Sequence, residues 1–292
     1  MVELYRFIFA FTVLKFHGFV PSQTPYFTTG RLAVEFFFIL SGFLLIKSFN
    51  KFKDVKIHKS IFKFIWSKVY PIIIPLSLGI IFNIIEMFKC NDFSFNVWGY
   101  LWYVKQLLIV SLIYFVIKYF MKNEKIFFVV VVAIFLVSTI MNCNEMYYEV
   151  GCVRAFAGMS LGILLSYIPK INEKYIKKIW LVLILVQIAT LCLLLFSNNL
   201  WLSNYFVLER VAHWFLFPML IYFTFQINYQ NKIFNYLGSI SFGLYAFQCV
   251  ANCMRVYGVN NIYILFSVII ILSVIENEFK KIIHNKKMKN IE

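Results

Sequence analysis

Ten stretches of the chain are apolar over about the length needed to cross a bilayer. They lie at about residues 4–20, 32–49, 69–88, 100–120, 126–141, 151–168, 179–196, 211–227, 237–254 and 262–276. This recurrence restricts the fold more than any other feature. Hydrophobic residues make up 62% of the 292 and charged residues 14%, whereas a soluble domain holds about 45–50% and about 25%. A water-soluble core of this size cannot absorb the surplus. In lipid, each spanning segment must satisfy its own backbone hydrogen bonds, so helices are the form such runs take. The expectation is an all-α, polytopic membrane protein of about ten transmembrane helices. It forms one integral-membrane domain over residues 1–292, with spans within about 4–276 and a basic tail at 277–292. Several runs are short for a hydrocarbon core of about 30 Å, which implies tilt or local thinning. The first run has no basic lead-in and no small-x-small cleavage pattern after it, so it reads as a retained helix.

The formal charge of +15 would suggest nucleic acid in a soluble chain. Here the basic residues sit in the loops, which points to topology and membrane lipid instead. Lys47 to Lys68 after the second run, Lys118 to Lys125 after the fourth, Lys170 to Lys178 after the sixth, Lys232 after the eighth and Lys280 to Lys289 in the tail make twenty. The opposite loops hold four, Arg31, Lys89, Arg210 and Arg255. Both termini are therefore expected in the cytoplasm. Six cysteines form no CxxC pair and four histidines are scattered, so no metal is expected. Cys143 and Cys152 flank one short outer loop, where an oxidising exterior can join two thiols.

Charged groups inside a span cost about 2.5–3.5 kcal/mol each on insertion scales, which makes them functional candidates. Arg6 and His17 stand 11 residues apart on the first helix, within about 20° of one face and about 16 Å along the axis. The alternative has Arg6 snorkelling to headgroups and His17 in the interface. Glu35 lies among phenylalanines near the outer start of the second helix, at the depth of His17. Beside His17 it would orient the imidazole and raise its basicity for general-base work on a hydroxyl. Beside Arg31 it would be a surface i,i+4 pair. Arg154 opens the sixth span ahead of Gly158 and Gly162, a spacing that permits close helix approach; snorkelling is its alternative. Lys105, after Trp102 and Tyr103, reads as part of an interfacial belt. His213 opens the eighth span.

Several of these residues fall within longer patterns. Glu3-Leu4-Tyr5-Arg6, with His17 after ten further residues, resembles the opening Arg-x10-His of the acyltransferase-3 family of polytopic membrane O-acyltransferases. Val34-Glu35-Phe36-Phe37-Phe38-Ile39-Leu40-Ser41-Gly42-Phe43-Leu44 is similar to that family's second-helix signature. Lys63, Lys68, Tyr70 and Pro71 resemble its basic entry into the third helix. Arg154 with Gly158 and Gly162, Ser239 to Gln248, and Ile275-Glu276 resemble its later motifs. Gln248 stands where many members have His, and lysines replace arginines at 63 and 68. The Trp102 segment lacks the Glu of some branches.

The resemblance implies transfer of an acyl group, usually acetyl, from acyl-coenzyme A to a hydroxyl of a cell-envelope or exported glycan, free or lipid-linked. It implies His17 as general base or acyl relay, Glu35 as its orienting carboxylate, and Arg6 and Arg154 as donor contacts. Acyl-coenzyme A is then a donor substrate and no nucleic acid is involved. The basic cytoplasmic surface suits its phosphates. A different class remains open: a transporter or flippase for a lipid-linked glycan, without chemistry, also has many spans and intramembrane charges.

Overall fold

The computed structural model describes residues 1–21, 30–52, 57–91, 98–143, 151–196, 206–227 and 230–289. Among them there is no strand. The helices are α1 (Val2–Phe16), α2 (Gly30–Asn50), α3 (Ile57–Val69), α4 (Ile73–Cys90), α5 (Trp102–Phe120), α6 (Glu124–Cys143), α7 (Gly151–Ser166), α8 (Glu173–Phe196), α9 (Phe206–Ile227), α10 (Lys232–Ala246), α11 (Gln248–Val256) and α12 (Ile262–Lys289).

Among the described residues, six segments are long and apolar enough to cross a membrane: Ala33–Asn50, Ile57–Cys90, Trp102–Phe120, Glu124–Cys143, Lys232–Val256 and Ile262–Ile283. Gly151–Ser166 and His213–Ile227 are shorter apolar helices. The chain is thus a helical, multi-pass membrane protein. Helix α1 has 15 residues, about 22 Å at 1.5 Å per residue, which is less than a full bilayer core.

Asparagines begin several of these helices. Asn123, Asn172, Asn231 and Asn261 each accept, through their side-chain oxygen, the backbone N–H two residues on: Lys125 (2.9 Å), Lys174 (3.0 Å), Ile233 (2.8 Å) and Tyr263 (3.0 Å). Each bond satisfies a donor that the first turn leaves without an intrahelical partner, typically worth about 1 kcal/mol. At the far end of α4, Asn91 takes a left-handed conformation (φ 51°) and closes the helix onto the Met87 carbonyl, as a C-terminal cap does.

One segment departs from the sequence reading. Residues 47–68 were expected as a basic loop, but Ile57–Val69 is helical. Phe64 is buried and stacks on Phe115 at 4.2 Å, while Ser60 donates to the Phe52 carbonyl at 2.7 Å. Lysines at 59 and 63 occupy the exposed side. Long lysine stems are compatible with a helix, so the basic count that marks a cytoplasmic segment does not exclude one. Lys118 departs too. It was counted with loop residues but is buried, ion-paired with Glu124 and 4.5 Å from the Phe127 ring centroid. The phenol of Tyr167 donates to the same carboxylate at 2.9 Å.

The helices fall into two compact units whose segments alternate along the chain. The first holds α1, α4, α10, α11 and α12. There α1 packs on α10, α10 on α12, and α11 on α4. A Cβ at Gly238 would collide with the Glu3 carboxylate, so this glycine sets how closely α10 approaches α1. The second unit holds α2, α3 and α5 to α9. Its tightest pairing is α2 with α7; α6 also packs on α7, and α9 on α8. All six cysteines are free thiols. The bridge conceivable between Cys143 and Cys152 is therefore not formed, and the segment between them lies outside the described residues.

Candidate active site

In the second unit, glycines decide which polar groups meet. A Cβ on Gly42 of α2 would strike the Met159 carbonyl of α7, and one on Gly162 would strike the Ile39 carbonyl. A Cβ on Gly158 would stand 2.7 Å from Cβ of Phe38. The two backbones therefore touch where these side chains are missing, the small-residue packing expected in lipid. Gly42, read in the sequence only as part of a signature, is half of this contact.

This contact brings Glu35 of α2 and Arg154 of α7 together. Their side chains are 2% and 4% exposed, and Nη2 lies 3.7 Å from Oε1. Of the alternatives open in the sequence, burial overrides snorkelling for Arg154. Glu35 has a partner that neither reading proposed; the Arg31 side chain lies outside the described residues. Further along α7, Ser160 shares a hydrogen bond with Tyr114 of α5. Ser160 also donates to the Phe156 carbonyl at 2.7 Å. His213, on α9, is buried with its ring 5.5 Å from that of Phe217, which in turn meets Phe36 at 6.1 Å. Helix α9 packs against both α2 and α7.

Arg6 and His17 belong to the first unit. Arg6 is about one-third exposed and donates from Nη1 to Glu3 at 2.7 Å, an i,i+3 pair. Glu3 in turn abuts Gly238. The partner of Arg6 was legible as an acid three residues away, though the sequence reading used Glu3 only as a motif letter. His17 terminates α1 as its C-cap, and its backbone N–H returns to the Val13 carbonyl. Its ring meets Phe16 edge-on at 5.3 Å.

Beyond the helix, a residue the sequence assigned only to an outer loop becomes important. Arg255 at the end of α11 donates to the His17 carbonyl at 3.5 Å and the Gly18 carbonyl at 2.5 Å. Its guanidinium lies 4.3 Å from the centroid of the Phe19 ring. A planar fork that binds two carbonyls while stacking on an aromatic face fixes a chain reversal in a way a lysine would not. Gly18 takes φ +70° in this reversal, a conformation that favours glycine.

A polytopic helical protein with a buried carboxylate–guanidinium pair and a histidine at a fixed helix terminus has the groups needed for chemistry at a membrane. The acyltransferase-3 family model, described as an acyltransferase domain, matches residues 2–275, essentially the whole chain. The protein belongs to that family. No curated protein and no solved structure matches the chain significantly.

Proposed function

We propose that the protein moves an acyl group, acetyl in the first instance, from acyl-coenzyme A to a hydroxyl of a cell-envelope or exported glycan. The family assignment over residues 2–275 carries this reading. In this reading the chain crosses the cytoplasmic membrane ten times with both termini inside, in accord with the twenty-to-four split of basic residues between alternate loops.

His17 serves as general base. The neutral imidazole removes the proton of the acceptor hydroxyl, and the oxygen attacks the thioester carbonyl. A C–O bond forms, the C–S bond breaks, and coenzyme A leaves as thiolate, which takes up the proton from the imidazolium. Glu35 orients the imidazole, while Arg6 and Arg154 engage the donor. Two of these residues, Glu35 and Arg154, form a buried ion pair, which supports reading them as one site.

The test is transfer of radiolabelled acetyl from acetyl-coenzyme A to envelope material by the purified protein. General-base assistance is worth about 10²–10⁴-fold, so His17→Ala should abolish most transfer while leaving membrane abundance and coenzyme A binding intact. Transfer by the variant within a few-fold of the parent would remove His17 from the mechanism. Absence of transfer by the parent would favour a transporter.

A further inference from the structure

The membrane-crossing segment Lys232–Val256 is not one continuous helix. Helix α10 ends at Ala246, Phe247 takes φ −76° and ψ 0°, and α11 begins at Gln248. The N–H groups of Val250 and Ala251 both return to the Phe247 carbonyl. Interrupted helices at membrane depth persist where protein or a polar cavity receives the freed groups, and they recur at binding sites.

Gln248, the first residue after the interruption, is 0% exposed. Neither Oε1 nor Nε2 has a hydrogen-bond partner among the described residues. One turn along α11, Asn252 donates from Nδ2 to Oε1 of Glu86 on α4 at 2.6 Å. The second Glu86 oxygen, Oε2, is buried with no partner among the described residues. Gly79 of α4 faces this junction: a Cβ there would lie at ordinary contact distance from the Ala246 carbonyl (3.5 Å) and the Cys249 thiol (3.6 Å), and would press only on the Leu101 side chain (2.9 Å). Arg255, which binds the His17 and Gly18 carbonyls, follows Asn252 on the same short helix. The span from Gln248 to Arg255 is about 10 Å along the axis.

We propose that Gln248 and Asn252 of α11 and Glu86 of α4 form a recognition site for the hydroxyl groups of a carbohydrate acceptor; the acceptor role rests on the acyl-transfer reading above. A buried carboxamide whose two ends have no partner among the described residues matches a ligand that donates and accepts at neighbouring points. A hydroxyl does both. Glu86 only accepts, so it draws O–H groups and opposes a phosphate-bearing ligand, which separates this site from one for the polyanionic donor. A native protein retains an orphaned amide at a cost of about 1–3 kcal/mol, and sites built to hydrogen-bond a substrate carry such groups until the substrate satisfies them. Arg255 is the positioning residue that joins this site to His17.

The experiment uses the full-length protein in lipid nanodiscs and saturation-transfer difference NMR. The probes are methyl β-D-glucopyranoside and 2-methoxytetrahydropyran, the same ring without free hydroxyls. The parent should transfer saturation to the glycoside and not to the bare ring. Gln248→Leu should raise the glycoside dissociation constant roughly tenfold, the scale of a lost hydrogen bond in a buried site, and Glu86→Gln should raise it too. Gln248→Leu should melt no lower than the parent without ligand, because it removes an unsatisfied polar group. Half-saturating acetyl-coenzyme A in Gln248→Leu should stay within about twofold of the parent.

Equal glycoside binding by parent and Gln248→Leu would overturn the proposal. So would a lower melting temperature for Gln248→Leu, which would mark an internal structural bond. A large rise in half-saturating acetyl-coenzyme A would move Gln248 to the donor's amides and overturn the acceptor assignment. Gln248-dependent glycoside binding in a protein that transfers no acetyl would keep the site and sink the enzymatic reading. The converse result would do the reverse.

Discussion

Neutralising Glu35 and Arg154 singly and together measures the coupling between these two buried groups. The two groups are almost fully buried and 3.7 Å apart. At an effective dielectric of about 20, opposite unit charges near 4 Å attract by about 4 kcal/mol. Desolvation offsets much of this, so the pair as a whole adds little over an apolar replacement. Removal of one partner is different, because the other charge is left buried and uncompensated at a cost of about 3–5 kcal/mol. Glu35→Gln and Arg154→Met should therefore each destabilise strongly. The double variant should be less destabilised than the sum of the two by about 2 kcal/mol, well beyond the ~0.5 kcal/mol within which independent sites add. Unfolding in mixed micelles titrated with dodecyl sulfate, followed by tryptophan fluorescence, reads all four proteins. Additive effects would refute the argument that these charges stabilise each other.

Gly162→Ala should destabilise by about 1–3 kcal/mol or more, the range for overpacking, because its Cβ meets the Ile39 carbonyl; the same micelle titration checks it, and a neutral effect would dissolve the close α2–α7 contact. Arg154→Lys should lose much of the acetyl transfer, since a point charge cannot replace a planar fork; near-normal activity would confine Arg154 to a generic charge. Reporter fusions after Val55, Lys122 and Lys174 should read as cytoplasmic and those after Pro25, Phe93 and Tyr147 as external; reversal at two or more sites would end the ten-span topology. Asn231→Ala should cost about 1 kcal/mol through loss of the α10 cap, measured by the same unfolding titration.

The membrane class and all-helical fold were legible in the sequence, because a bilayer's thickness and its lack of hydrogen-bonding partners leave few choices for a run of apolar residues. The family was legible too, in the signature from Val34 to Leu44 and the Arg6–His17 spacing. Helix starts at Asn123, Asn172, Asn231 and Asn261 were readable in principle, since a cap acts on its own first turn. Helix α3 was not, because the lysines that mark a cytoplasmic segment also suit a helix with one buried aromatic.

Contacts between distant segments were beyond the sequence. Glu35 had two candidate partners by depth and spacing, and the structure adds a third, Arg154. That choice follows from Gly42, Gly158 and Gly162 bringing two backbones together, a matter of steric fit between segments more than a hundred residues apart. Arg255 against the end of α1, Lys118 beneath Glu124 and the open amide of Gln248 have the same origin. Chemical type and local period are written along the chain. Which buried charge meets which, and which polar group is left for a ligand, is decided only when the helices pack.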